Sequence, residues 1–486
     1  MTIKDLNPKI VWKYFDEITQ VPRPSKKEEK IIAFLLDFAQ KHQLEAQKDD
    51  AGNILIQKAA SKGYENRDKV ILQSHVDMVC EKNRGKVHNF ETDPIETIVE
   101  GGWLKANGTT LGADDGIGVA ASLAILASDD IEHGPIEALF TVDEETGLTG
   151  AKAVQKNFLS GTILLNLDSE EEGELYIGCA GGKGTKITFH YKQEPTPQHY
   201  YWFDVEVNGL NGGHSGGDID KGLGNANKIL NRFLWSLDRK YGLALAEISG
   251  GNLHNAIARE AHAKAGVPFD KKESVIVELN HFIPVIEDEL RHADPKVKIS
   301  LQSAEAPSHV IDSITTKNLL NGIYACPHGV IGMSFDVPGL VETSTNLAAV
   351  KMGENNTVVI NTSQRSSTES LKVDVANKIN AVFTLAGAEV EHGDGYPGWK
   401  PNPNSPILQV SAKSYKRLFD VEPQIKAIHA GLECGLFLDK YPHLDMVSCG
   451  PTITGAHSPD EKIEIATVDK WWKFLLDILK NIPEKK

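Results

Sequence analysis

Residues 70–77 read VILQSHVD, in which the short apolar run Val70 to Leu72 leads to a histidine and an aspartate. The arrangement recurs downstream. Residues 138–145 read ALFTVDEE, and residues 163–168 read ILLNLD. These runs are continuously apolar rather than alternating, as expected of strands covered on both faces by helices. Helix-like stretches lie between them. Asp115 to Leu126 is rich in Ala, Leu and Ile. Ser25 and Glu28 form an S-x-x-E capping box ahead of Ile31, Ile32, Leu35, Leu36 and Phe38, which predicts an amphipathic helix. The first part of the chain therefore reads as α/β.

The texture changes near residue 185. From Lys186 to Val207 the chain alternates with period two, the mark of half-buried antiparallel strands. A helix is expected over Gly224 to Leu237, and strands over Ser274 to Leu279 and Thr357 to Thr362. From Gly395 the segment GYPGWKPNPNSP reads as a linker. Beyond it the α/β texture returns, with helices around Leu408 to Leu418 and Val468 to Leu479 and a strand at Met446 to Ser448. At roughly 150 residues per domain, 486 residues suit two or three domains. The expected organisation is an α/β domain over 1–185 and 395–486, interrupted by an α+β domain over 186–394.

Charge and composition exclude several classes. Lys and Arg total 51 against 67 Asp and Glu, a net charge of −16. That balance argues against a nucleic-acid partner, which needs a basic face. The longest apolar runs are too short for a membrane span. The N-terminus, MTIKDLNPKIVWKYF, has no signal core and no Arg-rich transit pattern. Five cysteines without a C-x-x-C pair suit a reducing cytoplasm.

In an open α/β sheet, functional groups collect beyond the carboxyl ends of the strands. There the chain places His75 and Asp77, then Asp143, Glu144 and Glu145, then Asp168, while LGADDGIG delivers Asp114 ahead of a helix. Each group alone has a plain structural explanation. His-x-Asp can be a surface turn, Asp114-Asp115 an N-cap, and Asp-Glu-Glu an acidic helix start. Together they are a crowd of carboxylates and imidazole with no matching basic residues, which divalent cations would satisfy. In that reading His75 binds metal and Asp77 fixes its tautomer. One of the two glutamates ligates and the other activates water, and spacing alone does not order them. Two other chemistries fail. Gly178 to Lys186 resembles a phosphate loop, but Gly184 follows Lys183 where Ser or Thr is needed. The match of Gly213-His-Ser215-Gly-Gly217 to a G-x-S-x-G elbow stands in the inserted domain, away from the acid clusters.

The segments SHVDMVCEKN, LGADDGIGVA, DEETGLTGA, NLDSEEEGELYIGCAGG, NGLNGGHSGGDI, GGNLHNAIARE, IHAGLECG and SCGPTITGAHSPDE resemble those of the two-metal exopeptidases that include aminoacylase and carboxypeptidase G, and within them the cytosolic dipeptidases. The resemblance runs from about residue 5 to residue 480. It implies a catalytic three-layer α/β domain with a mixed sheet and an inserted lid that mediates homodimerisation. It implies two divalent ions, zinc before cobalt or manganese. Asp114 would bridge them, with His75 and Asp168 on one ion and Glu145 and His457 on the other. Glu144 would be the general base and acid, and Asp77 would orient His75. His214 would steady the oxyanion, with Asn255 and Arg365 binding substrate. His457 is preferred over His429 and His443 on the motif GPTITGAHSPDE alone. The implied reaction is hydrolysis of unblocked dipeptides, Xaa-His dipeptides included. An N-acyl amino-acid amidohydrolase and a non-catalytic metal-stabilised binding protein are the alternatives.

Overall fold

The computed structural model describes residues 2–485. The chain forms two compact units. The first comprises Met1–Gly178, Pro401–Ala427 and Leu432–Lys486, and the second comprises Cys179–Lys400 with Ile428–Gly431. The inserted unit thus begins before the expected residue 186 and ends after the expected 394. The reason lies in backbone pairing. Cys179 and Trp399 exchange N–H···O bonds at 2.8 and 2.9 Å, and Gly182 and Tyr396 at 3.1 and 2.8 Å. The first half of the expected linker is therefore held in the second unit, with Trp399 buried. The short segment 428–431 belongs there too, which no composition shift announces.

The first unit is built on an eight-stranded mixed sheet. Its order is Glu45–Lys48, Ile54–Lys58, Ile136–Thr141, Val70–His75, Ile163–Asn166, Asp445–Ser448, Glu174–Cys179 and Gln424–Ile428. Val70–His75 runs parallel to both Ile136–Thr141 and Ile163–Asn166, and Asp445–Ser448 runs parallel to Ile163–Asn166. Every residue of Val70–His75, Ile136–Thr141 and Ile163–Asn166 is buried, the polar Gln73, Ser74, His75, Glu137, Thr141 and Asn166 included. The helix Ala113–Ala127 packs on Val70–His75 and on the helix Lys9–Thr19. It is apolar all round, and Ile117, Leu123, Ala124 and Ile125 have no exposure.

The helix expected after Ser25 runs from Glu29 to Lys41, but the capping box does not form. The Ser25 hydroxyl instead donates to Asp77, and the Glu28 carboxylate accepts from the amides of Lys26 and Asp143. Both side chains are taken by the strand-end loops, which offer charged or buried partners.

The second unit carries an antiparallel sheet in the order Lys298–Ser303, Tyr200–Asn208, Ala261–Pro268, Ala244–Gly250, Val341–Gly353, Thr357–Ser366, Gly181–His190 and Glu389–His392, with Gly329–Met333 paired to part of Val341–Gly353. Helices Ala226–Tyr241 and Glu369–Leu385 pack on it around Phe203, Phe233 and Phe383. Ser274 to Leu279, expected as a strand, lies inside the helix Lys272–Glu289. Val275, Leu279 and Ile286 are buried at helical spacing, while Val277, which a strand would place beside Val275, is exposed. The core contact selects period 3.6 over the β-propensity of Val and Ile. No helix among the described residues is long and apolar enough to cross a membrane.

Candidate metal centre and catalytic residues

The carboxyl ends of the parallel strands carry the acid and imidazole groups. His75 closes its strand, Asp143 to Glu145 follow Thr141, and Asp168 follows Asn166. Asp114 enters from the start of Ala113–Ala127, where Asp114 and Asp115 depart from helical φ/ψ. Asp115 turns inward and accepts from Gly118 N, so it is the helix cap and Asp114 is left to the site.

Asp114 stands between two imidazoles. Its Oδ1 lies 3.1 Å from His75 Nε2, and its Oδ2 lies 3.2 Å from His457 Nε2. His75 Nε2 is also 3.4 Å from Asp168 Oδ1, and His457 Nε2 is 3.0 Å from Glu145 Oε2. Donor atoms of His75, Asp114 and Glu145 all fall within 4.8 Å of one another. Burial opposes charge on His75, yet Asp168, Asp114 and Asp77 outweigh it and hold the imidazole pKa well above its ordinary value. Hydrogen bonding to Asp114 and Glu145 drives His457 up to about 11. Asp168 is pushed well above the carboxylate range by burial. This is a site with negative charge in excess of what its own residues balance. Nitrogen and carboxylate donors around a buried centre fit a divalent cation of borderline softness.

Asp77 joins the pieces. Its Oδ1 is 3.4 Å from His75 Nδ1 and accepts from Glu144 N at 3.0 Å, and its Oδ2 accepts from Glu145 N and Ser25 Oγ. One carboxylate therefore sets both the imidazole and the two-glutamate turn. The turn starts at Asp143, with φ 49, whose side chain accepts from the hydroxyls of Thr146 and Thr149. Burial, reinforced by Glu433, Glu145 and Asp114 and opposed by His75, drives the Glu144 carboxyl up to about 8. Glu28, Asp77 and Asp143 form a second buried acid group. Each already accepts protein N–H or O–H donors, so that group supports the first.

The second unit brings His214, Arg365 and Asn255 together. His214 Nδ1 accepts from the amides of Gly216 and Gly217 at 3.3 and 3.1 Å. Nε2 in turn lies 3.4 Å from an Arg365 guanidinium nitrogen, which can only donate, so donors face both ring nitrogens. Burial and the Arg365 charge lower the His214 pKa. Arg365 is steadied by Ser215 Oγ at 3.3 Å and Tyr396 Oη at 3.0 Å. Asn255 accepts the Ser215 amide through its carbonyl. His429 lies apart from these donors in role. It is buried against Ser344 Oγ at 2.7 Å, and burial lowers its pKa to about 3.

Residues 71–481 match the model of peptidase family M20/M25/M40. The chain belongs to that family. It is 43% identical over 483 residues to the cytosol non-specific dipeptidase of Escherichia coli (strain K12), covering 99% of each chain. The crystal structure of aminoacylhistidine dipeptidase from Vibrio alginolyticus superposes with a TM-score of 0.94 at 41% identity, covering 100% of this chain and 99% of that one. A Staphylococcus aureus tripeptidase at 17% identity shares the fold, with a TM-score of 0.57. Membership in a metallopeptidase family carries a divalent cation with it, and the His and carboxylate donors fit one.

Two further residues of this family M20/M25/M40 chain, neither singled out from the sequence, support the groups described in their own units. Glu433 is fully buried, accepts from Gln73 Nε2 at 2.6 Å and Thr141 Oγ1 at 2.7 Å, and burial pushes its carboxyl up to about 7. Tyr396 reaches Arg365 from the segment read as linker. Its ring passes so near Gly182 and Gly431 that a Cβ at either would meet it at 2.6 or 2.9 Å. Those glycines were visible in the sequence, but the ring that requires them was not.

Proposed function

We propose that this chain hydrolyses the peptide bond of unblocked dipeptides, aminoacyl-histidine dipeptides among them, at a centre for two divalent ions of zinc type. The observation that carries the reading is Asp114, with one carboxylate oxygen toward His75 and the other toward His457. A bridging ligand needs that opposed arrangement. His75 and Asp168 would complete one ion's protein ligands, and Glu145 and His457 the other's. Dipeptidases at 43 and 41% identity over nearly the whole length support the same substrate class here.

Bound ions of this kind polarise a carbonyl and ease deprotonation of water. The protein's own groups do the rest. Glu144 takes the proton of the attacking water and returns it to the leaving amine. Asp77 keeps His75 oriented and, through the amides of 144 and 145, keeps the base beside the ligand. His214, whose Nδ1 accepts the Gly216 and Gly217 amides, donates from Nε2 to the oxygen on which charge develops. Arg365 receives the substrate carboxylate, and Asn255 shapes that subsite. The protein acts in the cytoplasm as a homodimer. The edge strand Gly329–Met333, with Val330, Ile331 and Met333 exposed, supports that assembly.

A panel of dipeptides, including Xaa-His, assayed beside their N-acetylated forms tests the reading. Unblocked dipeptides are cleaved, activity is lost on chelation, and divalent ion restores it. Cleavage confined to the N-acetylated forms would instead make the chain an N-acyl amino-acid amidohydrolase.

A further inference from the structure

We infer that Arg23 and Glu461 form a buried clamp that sets the ligand-bearing loops of the metal centre at working distance, an inference that rests on the metal-centre reading above. Neither residue belongs to the proposed ligand set or touches the proposed reacting atoms. Arg23 is 3% exposed and lies on the loop before the helix Glu29–Lys41. Its guanidinium donates to the carbonyls of Val76 at 2.9 Å and Asp77 at 2.8 Å, and also to the carbonyl of Gly112. One rigid, planar fork thus spans the turn that follows His75 and the turn that precedes Asp114.

Glu461 is 2% exposed and grips the same second turn from its amide side. Its Oε2 accepts from Leu111 N at 2.7 Å and Gly112 N at 3.0 Å, and its Oε1 accepts from Ala113 N at 2.7 Å and Asp114 N at 3.4 Å. Four successive amides converging on one carboxylate make a backbone nest. The turn can adopt this shape because Gly112 has φ +69. A Cβ there would also meet Arg23 at 2.5 Å and Met78 Sδ at 2.9 Å. The Gly112 peptide unit is therefore held on both sides, its N–H by Glu461 and its C=O by Arg23.

The clamp reaches a third ligand loop through the chain itself. Glu461 stands four residues after His457, whose side chain is 56% exposed and whose loop turns at Gly455 with φ 70. Fastening Glu461 to residues 111–114 brings that exposed imidazole to Asp114. A buried cation and a buried anion at this spot cost desolvation that only matched charge and full hydrogen bonding offset. Glu461 and Asp77 supply the countercharge to Arg23. A purely structural cap would not need to involve the backbone of the ligand residue Asp114 and of the orienting residue Asp77.

The test uses the full-length protein stripped by chelation, with Co²⁺ as the probe, read by calorimetric titration and by the visible spectrum of the loaded protein. The variants are Glu461→Gln and the conservative Arg23→Lys. Glu137→Gln is the control. Glu137 is equally buried and accepts the amides of Ser160 and Gly161, but it sits at the opposite end of its strand. The clamp predicts a Co²⁺ affinity weaker by about 10- to 100-fold, with an altered visible band, in both clamp variants. Glu137→Gln lowers the melting temperature and leaves Co²⁺ binding unchanged. Wild-type affinity and spectrum in Glu461→Gln and Arg23→Lys would overturn the clamp while leaving the metal centre standing. An equal loss of binding in Glu137→Gln, or failure of both clamp variants to fold while the control folds, assigns the pair a structural role only. Wild-type protein that takes up no Co²⁺ overturns the metal centre itself.

Discussion

Glu144 and Glu145 are neighbours with the same chemistry, and the fold separates their work. Glu145 lies 3.0 Å from His457, whereas Glu144 is a half-buried carboxyl whose amide is fixed by Asp77. Glu144→Gln should keep both ions and lose about 10²- to 10⁴-fold in kcat. Glu145→Gln should lose about one ion per chain by elemental analysis. The reverse pattern would exchange the two roles. Most of the acid groups were legible in the sequence because they follow apolar runs of strand length, and Asp114 because it precedes a helix. The order of the two glutamates was not, since it depends on which carboxylate the turn at Asp143 directs to His457. Nor were the contacts of Arg23 and Glu461 legible, although Glu461 closes the segment SCGPTITGAHSPDE. Both side chains bind backbone atoms of distant loops, and no local pattern marks such contacts.

At the scale of elements, periodicity served where one face was in contact with a core and failed where propensity pointed elsewhere. The apolar runs Val70 to Leu72, Ala138 to Val142 and Ile163 to Leu167 fall in or at the end of strands whose residues are all buried. The run from Ser274 has the β-branched residues of a strand, but it folds as a helix because Val275, Leu279 and Ile286 meet the core of the second unit. Two substitutions distinguish the alternatives. Val275→Ala should cost roughly 1–3 kcal/mol of stability through the cavity it leaves. Val277→Lys should change stability by no more than about 0.5 kcal/mol, since Val277 is exposed. A strand would make both costly, and denaturant unfolding measures the difference. The failed capping box at Ser25 has a related cause. An S-x-x-E signal is local, and Asp77 and the amide of Asp143 compete for the same side chains.

Across the whole molecule, the insertion was legible as a change from continuous to alternating hydrophobicity, while its edges were not. They are set by backbone pairing of residues 179–182 with 396–399 and by the return of 428–431. The second unit also holds an acid-sensitive element. Burial lowers the pKa of His328 to about 4, where its Nδ1 accepts the Leu347 amide. A histidine depressed in the folded state binds more protons when unfolded between its two pKa values. Stability therefore rises with pH from about 4 to about 6.5 and is lost as pH falls through that window, by roughly 3 kcal/mol for this one group. His328→Asn, which keeps an acceptor for the amide, should lack this component, so its stability relative to wild type should improve as the pH falls from 6.5 to 4. A constant gap would show that His328 does not titrate differently on folding. The centre proposed for the first unit is tested most directly by counting divalent ions per chain in the wild type and in Asp114→Asn, with dipeptide hydrolysis measured on the same samples. The account predicts two ions and activity in the wild type, and fewer ions with hydrolysis abolished in Asp114→Asn. Two ions and full activity in Asp114→Asn would contradict it.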